Sequence, residues 1–303
     1  MATLDDHALL ERRHSVTMTG LGAEVAGRGE LGAEVIGRTA ATVAEMVRLA
    51  IEDGAEEVGL VATEFARNAP DAAQLVAGVH RACGQNLRVL TGEAEARLSY
   101  LGATAFRVPR GSPAIVADIG GGSTEVVSGQ GTRPQQGTSL KLGSAQLLRA
   151  VEADDPLTAR QLAHAEARAS MIMEAAPRTG GGETLIVTGG TAANLPVLLG
   201  TTPAVAESAG LGLAQEVGEA WTKVRLSEVE RARNLTLAEP SSELAGRTGL
   251  SPKRARLMAG GVLILLALLE RYRSDSVTVT ERGLRDGVIL AMAASRRSQP
   301  SPV

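Results

Sequence analysis

Apolar and polar positions alternate between two periods along most of this chain. From Gly32 to Asp53, the residues Val35, Ala40, Val43, Met46, Val47 and Ala50 return at the spacing of one helix face. A short apolar run at 57–62 predicts a strand, a helix follows from Ala69 to Cys83, and 87–90 predicts a second strand leading into a helix over 92–102. Residues 114–129 (AIVADIGGGSTEVVSG) predict a strand, a glycine loop and a second strand, and 138–142 predicts another. Helical patterns cover 143–151 and 156–176, and strand 184–188 delivers Gly189-Gly190-Thr191 into a helix ending near Pro196.

The last third is mainly helical. Ser227 with Glu230 has capping-box spacing for a helix over 228–234, and Ser251 followed by Pro252 starts a helix over 252–270. Strand 276–280 alternates cleanly and feeds a closing helix over 281–294; the polar, proline-bearing tail 296–303 is expected to be disordered. Two stretches lack a sustained period. The glycines of 20–31 predict a loop with turns, and 107–113 (RVPRGSP) predicts a boundary between domains at 1–110 and 111–303. Helices of this length between short apolar strands predict a layered α/β fold.

Composition narrows the picture. A chain of 303 residues with 44% apolar positions has room for two ordinary domains. Its net charge of -3 offers no strong field for a dedicated nucleic-acid binder. One cysteine, Cys83, excludes an internal disulfide and a thiolate-rich metal site, and the four histidines show no zinc spacing. The apolar run 262–269 is too short to span a bilayer and predicts a buried helix segment. No leader pattern opens the sequence, so the cytoplasm is the expected compartment.

The chemistry concentrates at Asp118-Ile119-Gly120-Gly121-Gly122-Ser123-Thr124-Glu125. Three glycines let a backbone turn sharply and aim several N–H groups at one point, which suits a phosphate. Ser123 and Thr124 add hydroxyls, Asp118 can hold a hydrated divalent cation, and Glu125 can order a water or the metal. The plainer alternative is a tight hairpin with solvated acids. Gly189, Gly190 and Thr191 repeat the arrangement at a helix start, where the alternative is an ordinary capped turn. Neither GxxxxGK[ST] nor a helix-opening GxGxxG is present. Glu93 and Glu95, two apart in a first helical turn, do not share a face, so at most one reaches a common site. Arg67 follows a strand end and can clamp phosphate; Lys141 and Arg254 look more like surface charges.

Six motifs in order resemble the exopolyphosphatase / guanosine pentaphosphate phosphohydrolase family: VATEFARNAP (61–70), TGEAEARLSYLG (91–102), ADIGGGSTEVV (117–127), SLKLGSAQL (139–147), VTGGTAANL (187–195) and TVTERGLRDGVI (278–289). The resemblance implies two ribonuclease-H-like lobes of the actin–sugar kinase–Hsp70 superfamily, with a cleft where a phosphoanhydride is hydrolysed with Mg²⁺ or Mn²⁺. It implies Glu95 as general base, Glu125 as a holder of metal or water, and Asp118, Gly120, Gly121, Gly122 and Ser123 as the phosphate and metal loop. Arg67 takes the place of a cleft arginine. Inorganic polyphosphate is the implied substrate, guanosine pentaphosphate the alternative, and a homodimer the implied assembly. Two departures stand out. Ala94 replaces the first of two adjacent acids, and MATLDDHALLERRH contains no aspartate-glycine-threonine-asparagine-serine loop. The first lobe is therefore expected to lack its N-terminal strand and phosphate loop, which raises a catalytically impaired phosphate-binding protein as a further alternative.

Overall fold

The computed structural model describes residues 1–4, 9–11, 15, 17, 19, 21–201 and 221–298, with the chain divided into two compact units. The first comprises the described residues up to Glu95 and those from Val288 on; the second comprises the described residues of 96–287. The division falls at Glu95, inside a helix, and not near residue 110. Ala96, Tyr100 and Ala103 pack in one cluster with Val116, Val127 and Ile186, which joins that stretch of chain to the second unit.

The first unit opens with strands β1 (Ala2–Leu4) and β2 (Leu9–Glu11), paired antiparallel, where the sequence predicts no strand. Residues 5–8 and 12–14 on either side of β2 lie outside the described residues. The glycines of 20–31 predict a loop, yet Leu21–Arg28 is helix α1. Leu21 and Val25, one turn apart, pack on a cluster that includes Leu31, Ile36, Leu75 and Val79, and this burial outweighs the weak helix propensity of Gly22 and Gly27. Helix α2 (Ala33–Glu52) buries Val35, Ile36, Ala40 and Val47 on the predicted face. Strand β3 (Leu60–Ala62) is followed by the five-residue α3 (Glu64–Asn68), too short to show a helical period in the sequence. Pro70 separates α3 from α4 (Ala72–Cys83), so the helix predicted from Ala69 begins three residues late. Strand β4 (Leu87–Val89) pairs parallel with β3. The carboxylate of Asp71, at the head of α4, accepts from the amides of Leu31 at 3.0 Å and Gly32 at 2.9 Å, and so ties the start of α2 to α4.

Helix α5 (Gly92–Thr104) leads into the second unit. Its sheet is formed by β5 (Pro113–Ile119), β6 (Thr124–Gln130), β7 (Arg133–Leu140), β8 (Thr184–Thr188), β9 (Thr222–Arg225) and β10 (Ser276–Val279), in the order β7-β6-β5-β8-β10-β9. β5 runs antiparallel to β6 and parallel to β8; β10 is parallel to β8 and antiparallel to β9. β5 is buried on both faces. Ala114 and Val116 face the α5 cluster, while Ile115, Ala117 and Ile119 face a larger core with α11 (Pro252–Arg271) at its centre. Burying each such Val or Ile stabilises the fold by about 1.5–3 kcal/mol. Met258 to Leu265 of α11 are buried without a break, which accounts for the apolar run there; among the described residues no helix is long and apolar enough to cross a membrane.

The remaining helices are α6 (Ser144–Ala150), α7 (Ala159–Met173), α8 (Gly190–Leu198), α9 (Leu226–Ala238), α10 (Ser241–Thr248) and α12 (Leu284–Ser298). Ser251 caps α11 as predicted, its hydroxyl accepting from the Arg254 amide at 3.4 Å. The cap predicted for α9 is corrected. That helix starts at Leu226, and Glu228, not Glu230, reaches back to the Arg225 amide at 2.9 Å. The closing helix starts at Leu284 and continues to Ser298, so the first three tail residues are helical, while 299–303 lie outside the described residues.

Candidate functional site

Strand register places the chemistry of the second unit in one row. Asp118 on β5 is the direct partner of Glu125 on β6, Glu125 of Ser139 on β7, and Asp118 of Thr188 on β8. Residues directly opposite across paired strands project on the same face. The row Thr188–Asp118–Glu125–Ser139 therefore continues the α5 face of the sheet just beyond the apolar residues Val116 and Val127. Each acid accepts from a serine hydroxyl. Ser99 of α5 donates to Asp118 Oδ2 at 2.6 Å, and Ser139 donates to Glu125 Oε1 at 2.6 Å. Glu125 is 2% exposed. Desolvation raises the Asp118 carboxyl above its ordinary value, and the Ser99 hydroxyl opposes that shift.

Between the two acids runs the glycine loop. The Gly120 amide closes it by donating to the Ser123 carbonyl at 3.0 Å. The first amides of α6 then hold it from behind: Ser144 donates to the Gly120 carbonyl at 2.9 Å, and Ala145 and Gln146 donate to the Gly121 carbonyl at 2.9 and 3.1 Å. Gly143 allows this close approach, since a Cβ there would lie 2.4 Å from the backbone of Gly121 and Gly122. Thr124 turns its hydroxyl to the Leu142 carbonyl and is fully buried, so it serves the loop's architecture. Among the described residues no acceptor takes the amides of Gly121, Gly122 or Ser123. Three neighbouring N–H groups are thus left to an outside acceptor, the donor set of an anion nest.

The second glycine turn borders this loop. Gly189 has φ 90° and ψ -173°, a conformation that side chains disfavour, and a Cβ there would come 2.5 Å from Asp118 Oδ1. Gly190 opens α8, with Arg254 Nη1 only 2.9 Å from where its Cβ would stand. Arg254, read from sequence as a surface charge, thus lies beside the second glycine turn; no sequence signal short of the fold could have put it there. Thr191 is buried against Gly261 of α11. Lys141 is exposed, as expected.

In the first unit, Glu95 is buried and accepts from Arg67 Nη1 at 3.1 Å, and the same nitrogen donates to the Leu90 carbonyl at 2.7 Å. Glu93 is exposed, so only one of the two acids turns inward, as their two-residue spacing requires. The guanidinium of Arg67 fixes Glu95 as well as offering charge. Among the described residues no three His, Cys, Asp or Glu side chains gather as a metal cage. The adjacent carboxylates of Asp118 and Glu125 suit a hard cation that completes its shell with water and phosphate oxygens.

The chain is 29% identical over 245 residues to the guanosine-5'-triphosphate,3'-diphosphate pyrophosphatase of Vibrio cholerae, covering 81% of this chain but 46% of that protein, so it spans less than half of that relative's length. It is 29% identical over 287 residues to exopolyphosphatase 2 of Mycobacterium tuberculosis, covering 90% of this chain and 86% of that one. The solved structure of the Aquifex aeolicus PPX-GPPA enzyme superposes with a TM-score of 0.79 at 27% identity, over 96% of this chain and 93% of that chain. The profile of the Ppx/GppA phosphatase family matches residues 7–296, and the chain belongs to that family.

Proposed function

We propose that this protein is a phosphoanhydride hydrolase that releases the terminal phosphate of inorganic polyphosphate. The observation that carries the reading is the nest of unpaired amides at Gly121, Gly122 and Ser123, set between the neighbouring carboxylates Asp118 and Glu125. A site built from amide donors recognises phosphate oxygens and not a base or sugar, which suits a repeating phosphate chain. In this reading the second unit is a ribonuclease-H-like lobe. Support comes from its antiparallel triple β5-β6-β7 beside the parallel strands β8 and β10.

Water attacks the terminal phosphorus, the bridging P–O bond breaks, and the shortened chain leaves with the bridging oxygen. Glu95, held by Arg67, takes the proton of the attacking water. The amides of the loop bind the equatorial oxygens, where negative charge is concentrated as the phosphoryl group transfers. Asp118 would hold Mg²⁺ or Mn²⁺ with Glu125 ordering its water, and the ion would supply charge neutralisation on the phosphate oxygens. Arg254, beside Gly190, adds a cation at the same face.

The Vibrio cholerae relative's name supports guanosine pentaphosphate as a second substrate. The test measures phosphate release from polyphosphate and from guanosine pentaphosphate, with Mg²⁺, for the native chain and for Glu95→Gln. The native chain is expected to release phosphate from polyphosphate at a rate about 10²–10⁴ times that of the variant. Release no faster than that of the variant, on either substrate, would overturn the hydrolase reading. Release from guanosine pentaphosphate alone would replace the substrate.

A further inference from the structure

The structure assigns Ser99 as the positioning residue for Asp118, an inference that rests on the proposed metal-assisted reading. Ser99 lies within α5, a place where serine usually does little more than lower helix propensity. Here the side chain is 1% exposed and its hydroxyl does not turn back to the helix carbonyl one turn before it. It crosses instead and donates to Asp118 Oδ2 at 2.6 Å, a short hydrogen bond. The other oxygen, Oδ1, faces Gly189 and accepts no hydrogen bond among the described residues.

The two oxygens of Asp118 are thus divided. One is held by protein, and the other is left open beside the glycine turn that begins α8. A carboxylate on β5 alone is free to rotate about its terminal torsion. Ser99 removes that freedom and fixes which oxygen a cation meets. Outer partners of this kind orient ligands to metals, and their loss costs 10- to 100-fold in metal affinity. Ser99 also stands four residues after Glu95, on the same face of α5, so one helix carries both the proposed base and the group that sets the proposed metal ligand.

The experiment titrates Mn²⁺ into the full chain with inorganic phosphate present and follows free Mn²⁺ by electron paramagnetic resonance. It compares the native protein with Ser99→Ala, Ser99→Cys and Ser99→Thr, each checked by thermal unfolding. Ser99→Ala is expected to weaken Mn²⁺ binding about tenfold or more. Ser99→Cys, which fills the space without a comparable donor, is expected to match Ser99→Ala, and Ser99→Thr to restore most of the affinity. Native-like binding by Ser99→Ala would overturn the assignment, as would native-like binding by Ser99→Cys, which would make the role one of packing. Failure of the native chain itself to bind Mn²⁺ would overturn the metal reading and this inference with it, a result distinct from equal binding by native and variant.

Discussion

The two units contain similar pieces joined differently. In the second, an antiparallel strand pair (β6 and β7) and a parallel pair (β8 and β10) are joined through one strand, β5, that hydrogen-bonds to a member of each. In the first, an antiparallel pair (β1 and β2) and a parallel pair (β3 and β4) form separate two-stranded sheets among the described residues. The joining strand is what carries the site. β5 ends in Asp118 and the glycine loop, and its register with β6 and β8 sets the polar row. The first unit holds a different kind of element, a half-buried ion pair between Arg67 and Glu95 on the ends of helices. A glycine loop flanked by two acids therefore follows from a strand with neighbours on both sides, whereas an inward acid paired with a cation needs only helix ends.

Three substitutions probe this difference. The largest effect is expected where helices of the second unit meet backbone to backbone. A Cβ at Gly102 of α5 would lie 1.9 Å from the Gly283 carbonyl oxygen, and one at Gly287 would lie 1.9 Å from that of Leu98. Gly102→Ala should destabilise the chain by about 3 kcal/mol or more, read as a lower urea midpoint. A midpoint equal to that of the native chain would show that α5 and the start of α12 can move apart at no cost.

Next comes Gly143→Ala. Its backbone angles, φ -116° and ψ 161°, suit any residue, so the added methyl acts only by pushing on Gly121 and Gly122. Displacing the loop by about 1 Å should lower phosphate release about 10²-fold. The unfolding midpoint should fall far less than for Gly102→Ala. Unchanged turnover would mean that the loop is not the phosphate cradle.

The smallest effect belongs to the first unit. Asp71→Asn removes one acceptor for the Leu31 and Gly32 amides and should cost about 1 kcal/mol in urea unfolding at neutral pH. Those amides hold the Asp71 carboxyl below its ordinary value of 3.8. Its contribution is present above that value and lost as pH falls through the lower, folded one. The gap between native and variant should therefore close in acid. A gap that persisted below pH of about 2 would show that the carboxylate's charge is not what stabilises the start of α2.

How far the sequence foretold this molecule depended on how local each feature was. Strand, glycine loop and strand at 113–130 were legible because apolar residues fill both faces of β5 and glycines interrupt them. The Ser251-Pro252 start of α11 was legible from its own four residues. β7 was placed too late and short, because RPQQGTSL is an edge strand with mostly exposed side chains and is set by pairing with β6. β9 was missed for the same reason, with only Val224 buried of its four residues. Within the site, the acids and glycines announced themselves, but their partners did not. Ser99, Ser139 and Arg254 gain their meaning from register and helix packing, which residue spacing alone does not encode.

The seating of the loop on α6 has a further consequence. A peptide group joins the carbonyl of one residue to the amide of the next. The two carbonyls that accept from α6, those of Gly120 and Gly121, therefore belong to the same peptide groups as the open amides of Gly121 and Gly122. Hydrogen bonding at one end of a peptide polarises the other, strengthening each bond in such a chain by about 10–30%. The helix would thus never touch an anion held there, yet its positive end would be passed on through two peptide groups, and the loop would donate with a strength that an isolated glycine turn would not have.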